Sequence, residues 1–303
     1  MIEALIRELK LRFSGSVYEN ADLSTRTTFK IGGRASVLIE VESVSVLKHV
    51  LSLCDRFKIG FLVLGAGSNL LISDKGIADK VVISLNRLNS IKLMRKARVY
   101  AEAGAKLGAV QAFCACEGLS GLEWSVGIPA SVGGACYMNA GAFSGDMGKV
   151  VESVTVLING KICKWKRDKL FFNYRDSVFK SQSNCVIIGV LIKLEKSTLT
   201  STRNKAACYI KRRLSTQNVG YPSAGSAFKR KGEEVVPARI LDELNLRGLR
   251  VGSAEVSRVH AGYIVNTGGA SSKDVLALIK LIQKTVFDEL QIGLEPEIII
   301  WGE

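Results

Sequence analysis

Residues 127–145 read GIPASVGGACYMNAGAFSG, a stretch dominated by small residues. Five of the nineteen positions are glycine, and a sixth glycine, Gly121, lies just upstream. Such a density costs conformational entropy unless the backbone must approach another group closely. The composition therefore favours close contact with a flat ligand, and a glycine-rich loop packed between two lobes is the alternative.

A second glycine-containing segment, LGAGSN (residues 64–69), follows a short apolar run that predicts a buried strand. Its two glycines would let backbone N–H groups approach a ligand, and Ser68 and Asn69 add donors, which suits a pyrophosphate. The segment is not the dinucleotide fingerprint, because Leu70 occupies the third glycine position. Taken alone, it fits a tight structural turn equally well.

The composition is that of a folded chain with a strong positive charge. The 303 residues are 47% hydrophobic, and 42 Lys and Arg against 28 Asp and Glu give a net charge of +14. This excludes a mainly disordered chain. The charge indicates either an anionic partner or a solvated basic surface. The sequence contains no run of basic residues interleaved with aromatic residues, so nucleic acid is not favoured as that partner.

Other compositional features predict a cytoplasmic protein without a structural metal. No apolar run approaches the roughly 18–20 residues of a membrane helix, and the N-terminal MIEALIRELKLRF predicts an amphipathic helix instead of a signal peptide. The seven cysteines are an odd number without metal-ligand spacing, and there are only two histidines, His49 and His260. We therefore expect reduced core thiols and no metal site.

Helix and strand signals alternate along the chain, which predicts an α+β fold. Periodicity predicts helices near residues 43–57, 107–117 and 271–290, the last with a Ser271/Asp274 capping box. Apolar or alternating runs predict strands near residues 61–64, 81–85, 154–158, 185–194 and 297–301. A soft break near 76–79 and a polar stretch at 195–205 predict three domains, at 1–78, 79–200 and 206–303.

Six motifs occur in an order that identifies a family. They are TTFKIGGRA (27–35), LGAGSN (64–69), GLEWSVGIPASVGGACYMNAGA (121–142), NYRDSVFK (173–180), GSAFK (225–229) and LEPE (294–297). The set closely resembles the UDP-N-acetylenolpyruvoylglucosamine reductase (MurB) family, in its shorter subclass without the tyrosine-bearing insertion. The resemblance implies a two-lobed FAD-binding module of the vanillyl-alcohol-oxidase (PCMH) type and a C-terminal α/β substrate-binding domain.

The resemblance also implies an activity and its cofactors. In this family NADPH reduces a non-covalent FAD, and the reduced flavin passes hydride to the enolpyruvyl group of a UDP-sugar, yielding the peptidoglycan precursor UDP-N-acetylmuramate. The predicted partner is thus a UDP-sugar, with neither nucleic acid nor membrane, and a monomer is favoured. By motif position, the cofactor-binding residues are Gly65, Ala66, Gly67, Ser68, Asn69, Leu70, Gly127, Ile128, Pro129, Ser131, Val132, Gly134, Asn139 and Gly141.

Three residues match the reacting groups of the family. Arg175 would hold the negative charge that develops on the substrate carboxylate, since a guanidinium stays protonated and donates in a fixed fork. Glu297, as a buried neutral acid, would share a proton with that carboxylate. Ser226 would donate the proton to carbon. Without the motif context, Arg175 would fit a surface ion pair with Asp176, Glu297 an exposed strand end, and Ser226 a turn next to Gly225.

Further family positions predict substrate contacts: Tyr174, Lys229 and Asn266. Lys229 belongs to a locally basic segment, which would raise the association rate of a phosphorylated substrate or of NADPH. The chain departs from the usual family pattern at Ala130–Ser131, Arg230–Lys231, Val259 and Ile299, and none of these is a reacting residue.

Two other functions compete with the reductase. One is an FAD-dependent oxidase of another small substrate on the same fold. It would need a base instead of a carbon-directed proton donor, so Arg175, Ser226 and Glu297 argue against it. The other is a basic nucleic-acid-binding protein, which would leave the glycine-rich segments unexplained and would bind with a strong salt dependence.

Overall fold

The computed structural model describes residues 1–217, 220–232 and 234–302. Helices and strands are mixed along the whole chain. The α-helices are α1 (Ile2–Phe13), α2 (Val44–Phe57), α3 (Leu107–Cys116), α4 (Val132–Tyr137), α5 (Met147–Val150), α6 (Leu199–Gln217), α7 (Pro237–Glu243) and α8 (Ser272–Leu290).

The strands are mostly short. In chain order they are β1 (Val17–Asp22), β2 (Arg34–Glu40), β3 (Gly60–Leu64), β4 (Leu70–Ile72), β5 (Ile77–Ser84), β6 (Ile91–Met94), β7 (Arg98–Glu102), β8 (Leu119–Ser120), β9 (Gly141–Ala142), β10 (Gly145–Asp146), β11 (Val151–Ile158), β12 (Lys161–Lys166), β13 (Cys185–Lys193), β14 (Glu195–Lys196), β15 (Ser223–Ser226), β16 (Arg250–Val251), β17 (Ala254–Val256), β18 (Tyr263–Asn266) and β19 (Ile299–Trp301).

The first of two compact units comprises Met1–Glu19, Val37–Ala66 and Asp79–Arg213. Its largest sheet has the order β12-β11-β13-β7-β6 with antiparallel neighbours, and β3 pairs parallel with residues 80–84 of β5. Helices α1 to α3 contribute buried apolar side chains to one continuous core within this unit. The sheets and this core hold the ends of β3 and α4 in place.

The second unit comprises Asn20–Ser36, Gly67–Ala78 and Leu214–Glu303. Its antiparallel sheet has the order β15-β18-β17-β16, and β4 pairs parallel with β19. Helix α8 buries Val275, Leu278, Ile279 and Ile282 in a core separate from that of the first unit. Burial of that helical face is a main source of stability for this unit.

The structure confirms the α+β class and the main elements predicted from sequence. The Ser271/Asp274 capping box at the start of α8 is formed by both of its hydrogen bonds. The three predicted domain ranges stay a prediction. Within the polar stretch at 195–205, residues from Leu199 onward already belong to α6.

The cysteines only partly follow the expectation of core thiols. All seven are free thiols, and Cys54, Cys114 and Cys136 are buried, but Cys116 and Cys208 are exposed. Burial raises the pKa of Cys54 and Cys114 to about 12, so these thiols stay neutral. No helix within the described ranges combines the length and the apolar character needed to cross a bilayer.

Candidate active site

The LGAGSN segment begins where β3 ends at Leu64. Within the described residues, no hydrogen bond uses the backbone N–H of Gly65, Ala66 or Ser68. Gly67 has φ +63°, and a Cβ there would lie 2.2 Å from the carbonyl oxygen of Arg26. The segment is therefore a tight turn that only glycine allows at this position, and it leaves three donors available to an anionic group.

Within the first unit, the two glycine-containing segments meet at Gly65 and Ser131. A Cβ on Gly65 would lie 2.5 Å from Ser131 Oγ, so any other residue would displace the Ser131 hydroxyl. Ser131 caps α4, because its Oγ accepts from the backbone N–H of Gly134 at 3.3 Å. Gly127 and Gly134 are exposed. Small residues thus leave backbone accessible on both segments, as contact with a flat cofactor requires.

Other glycines of the 127–145 segment pack against the protein itself. A Cβ on Gly145 would lie 2.3 Å from the Trp124 indole, and one on Gly141 would lie 2.6 Å from the carbonyl oxygen of Gly145. A Cβ on Gly133 would lie 2.8 Å from the Cβ of Ala103. For these three positions, internal packing is sufficient reason for glycine, so close contact with a ligand is not needed to explain them.

Arg175 lies in a two-residue turn whose flanking residues, Asn173 and Asp176, exchange two backbone hydrogen bonds of 3.1 Å. Its φ is +53°, a left-handed conformation that a non-glycine side chain adopts at a cost of about 1 kcal/mol. The half-buried guanidinium donates to the carbonyl of Gly141 at 3.1 Å and lies over the ring of the exposed Tyr174. The turn therefore fixes where the positive charge lies.

Asn139 and Ser177 hold this turn against the glycine-rich segment. Asn139 Nδ2 donates to the carbonyl of Asn173 at 2.8 Å, and its Oδ1 accepts from the backbone N–H of Gly148 at 2.8 Å. Ser177 Oγ donates to the carbonyl of Tyr137 at 2.6 Å. The buried Asn139 side chain thus has a structural task that its motif position did not suggest, and its contact with a cofactor stays a prediction.

In the second unit, Ser226 ends β15 directly after Gly225, which has φ +79°. Ser226 pairs with Tyr263 of β18 and is half-buried. The next residue, Ala227, donates its backbone N–H to the carbonyl of Gly262 at 2.8 Å. Two backbone contacts, one to strand β18 and one to the loop before it, therefore hold the Ser226 backbone in place.

Glu297 lies in the segment adjacent to Ser226. Its backbone N–H donates to the carbonyl of Ala227 at 2.8 Å, and its carbonyl accepts from Asn69 Nδ2 at 3.0 Å. The residue is half-buried. Within the second unit, Ser226 and Glu297 thus lie on neighbouring segments. Arg175 belongs to the first unit, and its convergence with these two residues stays a prediction.

The predicted substrate residues of the second unit have protein partners of their own. Lys229 forms an ion pair with Glu295, a residue the sequence analysis did not single out although it stands in the LEPE motif. The buried Asn266 accepts from the backbone N–H groups of Gly268 and Ala270, both at 3.0 Å, and donates to the carbonyl of Phe29 at 3.2 Å. Their contacts with substrate stay predictions. Across the described residues, no group of His, Cys, Asp and Glu is arranged to hold a metal ion.

Two family models match parts of the chain. The model of an FAD binding domain matches residues 35–164. The model of the C-terminal domain of UDP-N-acetylenolpyruvoylglucosamine reductase matches residues 217–301. The FAD-binding fold expected from the resemblance is thereby confirmed.

Curated relatives match over nearly the whole chain. A UDP-N-acetylenolpyruvoylglucosamine reductase of Thermotoga petrophila is 39% identical over 92% of this chain and 96% of the relative. One of Caldanaerobacter subterraneus subsp. tengcongensis is 37% identical over the full length of both. The crystal structure of the enzyme from Thermus caldophilus has a TM-score of 0.80 and 34% identity, covering 93% of this chain and 98% of the other.

Proposed function

The chain belongs to the UDP-N-acetylenolpyruvoylglucosamine reductase family, and from this membership we infer its reaction and the role of each site residue. It is a UDP-N-acetylmuramate dehydrogenase, an oxidoreductase that depends on FAD and NADPH. It acts on a UDP-sugar, and its product is a peptidoglycan precursor, so the activity serves cell-wall synthesis, cell shape and division. The observation that carries the assignment is the 37% identity to a named relative over its full length.

The residues of the glycine-containing segments fit FAD. The free N–H groups of Gly65, Ala66 and Ser68 suit its pyrophosphate, and the adjoining 127–134 segment offers accessible backbone for its rings. When bound, FAD supplies the hydride, which it receives from NADPH. This chain's residues then have three tasks: to bind the substrate, to stabilise charge on its carboxylate and to deliver a proton.

Arg175 is the residue we assign to the substrate carboxylate. Addition of hydride to the terminal alkene carbon moves negative charge onto the carboxylate, which becomes an enediolate. A guanidinium held in a fixed turn stabilises that charge without having to reorganise. The bonds from Arg175 to Gly141 and from Asn139 to Asn173 support this role, because they keep the turn in one position.

Ser226 and Glu297 complete the addition. Ser226 Oγ donates its proton to the carbon next to the carboxylate and regains one from solvent, so that one hydride and one proton enter the substrate. Glu297, in its protonated form, hydrogen-bonds the enediolate oxygen. Their position on neighbouring segments of one unit supports a joint role on the same substrate group.

We assign Tyr174, Lys229 and Asn266 to the rest of the UDP-sugar. Lys229 suits a phosphate once it is released from Glu295, and Tyr174 offers an exposed ring beside Arg175. A monomer in the cytoplasm is the form we propose. The seven free cysteines support this compartment, since a reducing environment preserves thiols.

The direct test is an anaerobic two-step experiment on the FAD-loaded protein. NADPH is expected to bleach the yellow flavin, and UDP-N-acetylenolpyruvoylglucosamine is expected to restore the colour without oxygen. A protein that cannot be loaded with FAD would contradict the assignment. Recovery of the colour only with oxygen would favour the oxidase alternative.

A further inference from the structure

His260 lies in a loop that is fixed by many hydrogen bonds and that contacts the Ser226 segment. Its Nδ1 accepts from the backbone N–H of Gly262 at 3.1 Å, and its carbonyl accepts from Tyr263 N–H at 3.0 Å. Ser257 Oγ accepts from the N–H groups of Val259 and His260 at 3.2 and 3.3 Å. The half-buried imidazole is therefore hydrogen-bonded within this loop.

The same loop carries the carbonyl that positions Ser226. Gly262 accepts from Ala227 N–H at 2.8 Å, and the following residue, Tyr263, pairs with Ser226 itself. A Cβ on Gly262 would lie 2.9 Å from His260 Cε1, so the ring packs directly on this glycine. A short chain of contacts thus runs from the imidazole through Gly262 to the Ser226 segment.

From this geometry, and resting on the proposed function, we propose that His260 is a positioning residue for Ser226. Its neutral imidazole fixes Gly262, and through Gly262 it holds the Ser226 hydroxyl where proton transfer to the substrate carbon occurs. A neutral ring that accepts at Nδ1 must carry its proton on Nε2. Protonation would turn Nδ1 into a donor facing the Gly262 N–H, and the loop would lose this contact.

The charged groups near His260 come from α7, from the segment after it, from β17 and from the loop of His260 itself. Asp242 and Arg247 pair with each other, and Arg247 also donates to the carbonyls of Arg258 and Val259. Tyr263 presents its ring edge at 5.0 Å, and Arg258 is paired with Glu255. Burial is the main cause that lowers the pKa of His260 below 6.5; Asp242 opposes it and Arg247 adds to it. The ring is therefore neutral at physiological pH.

Three substitutions of His260 distinguish the effect of losing its hydrogen bond from the effect of losing the volume of its ring. H260A removes the acceptor. H260N places an amide oxygen close to the position of Nδ1, whereas H260Q places its amide near Nε2. We expect H260A and H260Q to slow the substrate-dependent reoxidation of the reduced enzyme by about tenfold to a hundredfold, since a displacement of about 1 Å has effects of that size. H260N should stay within about threefold of wild type, and reduction by NADPH should be unchanged in all three.

The pH dependence distinguishes positioning from a merely structural role. As pH falls below 6.5 and through the lowered pKa of His260, the wild-type reoxidation rate should fall as the ring protonates. H260N cannot titrate, so its rate relative to wild type should rise towards acid pH. H49N is the matched control, because His49, the other histidine, lies on α2 in the first unit. Parallel profiles of H260N and wild type would overturn the proposal.

Two measurements need no substrate and therefore test the hydrogen bond even if the proposed function fails. Nitrogen NMR of the wild-type protein should show the Nε2–H tautomer for His260, and finding Nδ1–H would overturn the proposal. Hydrogen exchange of peptides covering residues 223–229 and 257–263 should be faster in H260A and restored in H260N. Unchanged exchange in H260A would also overturn it. A wild-type enzyme without turnover would instead reject the proposed function.

Discussion

Asn69 donates its side-chain amide to the backbone carbonyl of Glu297 at 3.0 Å. Its own carbonyl accepts from Ile299 N–H at 3.0 Å, and the pairing continues as the parallel strands β4 and β19. The last residue of LGAGSN is thereby joined to the segment that carries the proposed acid. A residue assigned to the cofactor by motif position also fixes the backbone of a residue assigned to the substrate.

N69A should therefore weaken the attachment of the Glu297 segment. Loss of this hydrogen bond is expected to lower the free energy of unfolding by about 1 kcal/mol. Denaturant unfolding measures this value. Asn89 provides the control, because its side chain bonds the carbonyl of Asn86 on the exposed surface, so N89A should cost about 0.5 kcal/mol or less. Equal losses in the two variants would contradict the structural role of Asn69.

N139A should be the most destabilising substitution near Arg175. It removes bonds to the carbonyl of Asn173, which keeps its bond from Asp176 N–H, and to the N–H of Gly148, which is left unpaired, at an expected cost of about 1–3 kcal/mol. Because the Arg175 turn then loses an anchor, the KM for the UDP-sugar should rise as well. Unfolding curves and steady-state kinetics measure the two effects. Wild-type stability of N139A would show that Asn139 does not hold the turn.

S226A is expected to separate the two half-reactions. Reduction by NADPH should proceed at the wild-type rate, whereas turnover of the enolpyruvyl substrate should fall by about 10²- to 10⁴-fold, the usual contribution of a general acid. Rapid-mixing kinetics resolves the two steps. S223A is the control, since Ser223 begins the same strand. Near-normal turnover of S226A would exclude Ser226 as the proton donor.

The R175K substitution keeps the positive charge but removes the planar guanidinium, whose N–H donors have a fixed geometry. We expect kcat to fall by about 10²- to 10³-fold, as when a donor to a developing oxyanion is removed, with reduction by NADPH little changed. Stopped-flow and steady-state kinetics measure both. R167K is the matched control, because Arg167 is exposed on a different segment. If R175K and R167K behaved alike, Arg175 would have no role in stabilising the substrate charge.

Local signals in the sequence were sufficient to predict much of the fold. Helix α8 follows from its apolar face and from the Ser271/Asp274 capping box, and both depend on residues a few positions apart. Strand β11 follows from alternation that ends at an Asn159-Gly160 turn. Such features need no knowledge of distant contacts, so sequence reasoning recovers them.

The parts of the site that could not be predicted depend on partners remote in sequence. Gly145 is a glycine because the Trp124 indole lies against it, and Gly65 because Ser131 lies beside it. Composition does not distinguish these roles from ligand contact. The proposed positioning role of His260 likewise depends on contacts remote in sequence, because Gly262, which donates to His260 Nδ1, accepts from the N–H of Ala227. The motif resemblance identified the residues, and the structure adds what holds them.

This chain, we propose, uses NADPH to reduce the enolpyruvyl group of a UDP-sugar. The most direct measurement is the amount of UDP-N-acetylmuramate formed, by mass spectrometry, against the amount of NADPH consumed with and without UDP-N-acetylenolpyruvoylglucosamine. We predict equal amounts of product formed and NADPH consumed, and little consumption without the sugar nucleotide. NADPH consumption that is independent of the sugar nucleotide, with no product formed, would contradict the claim.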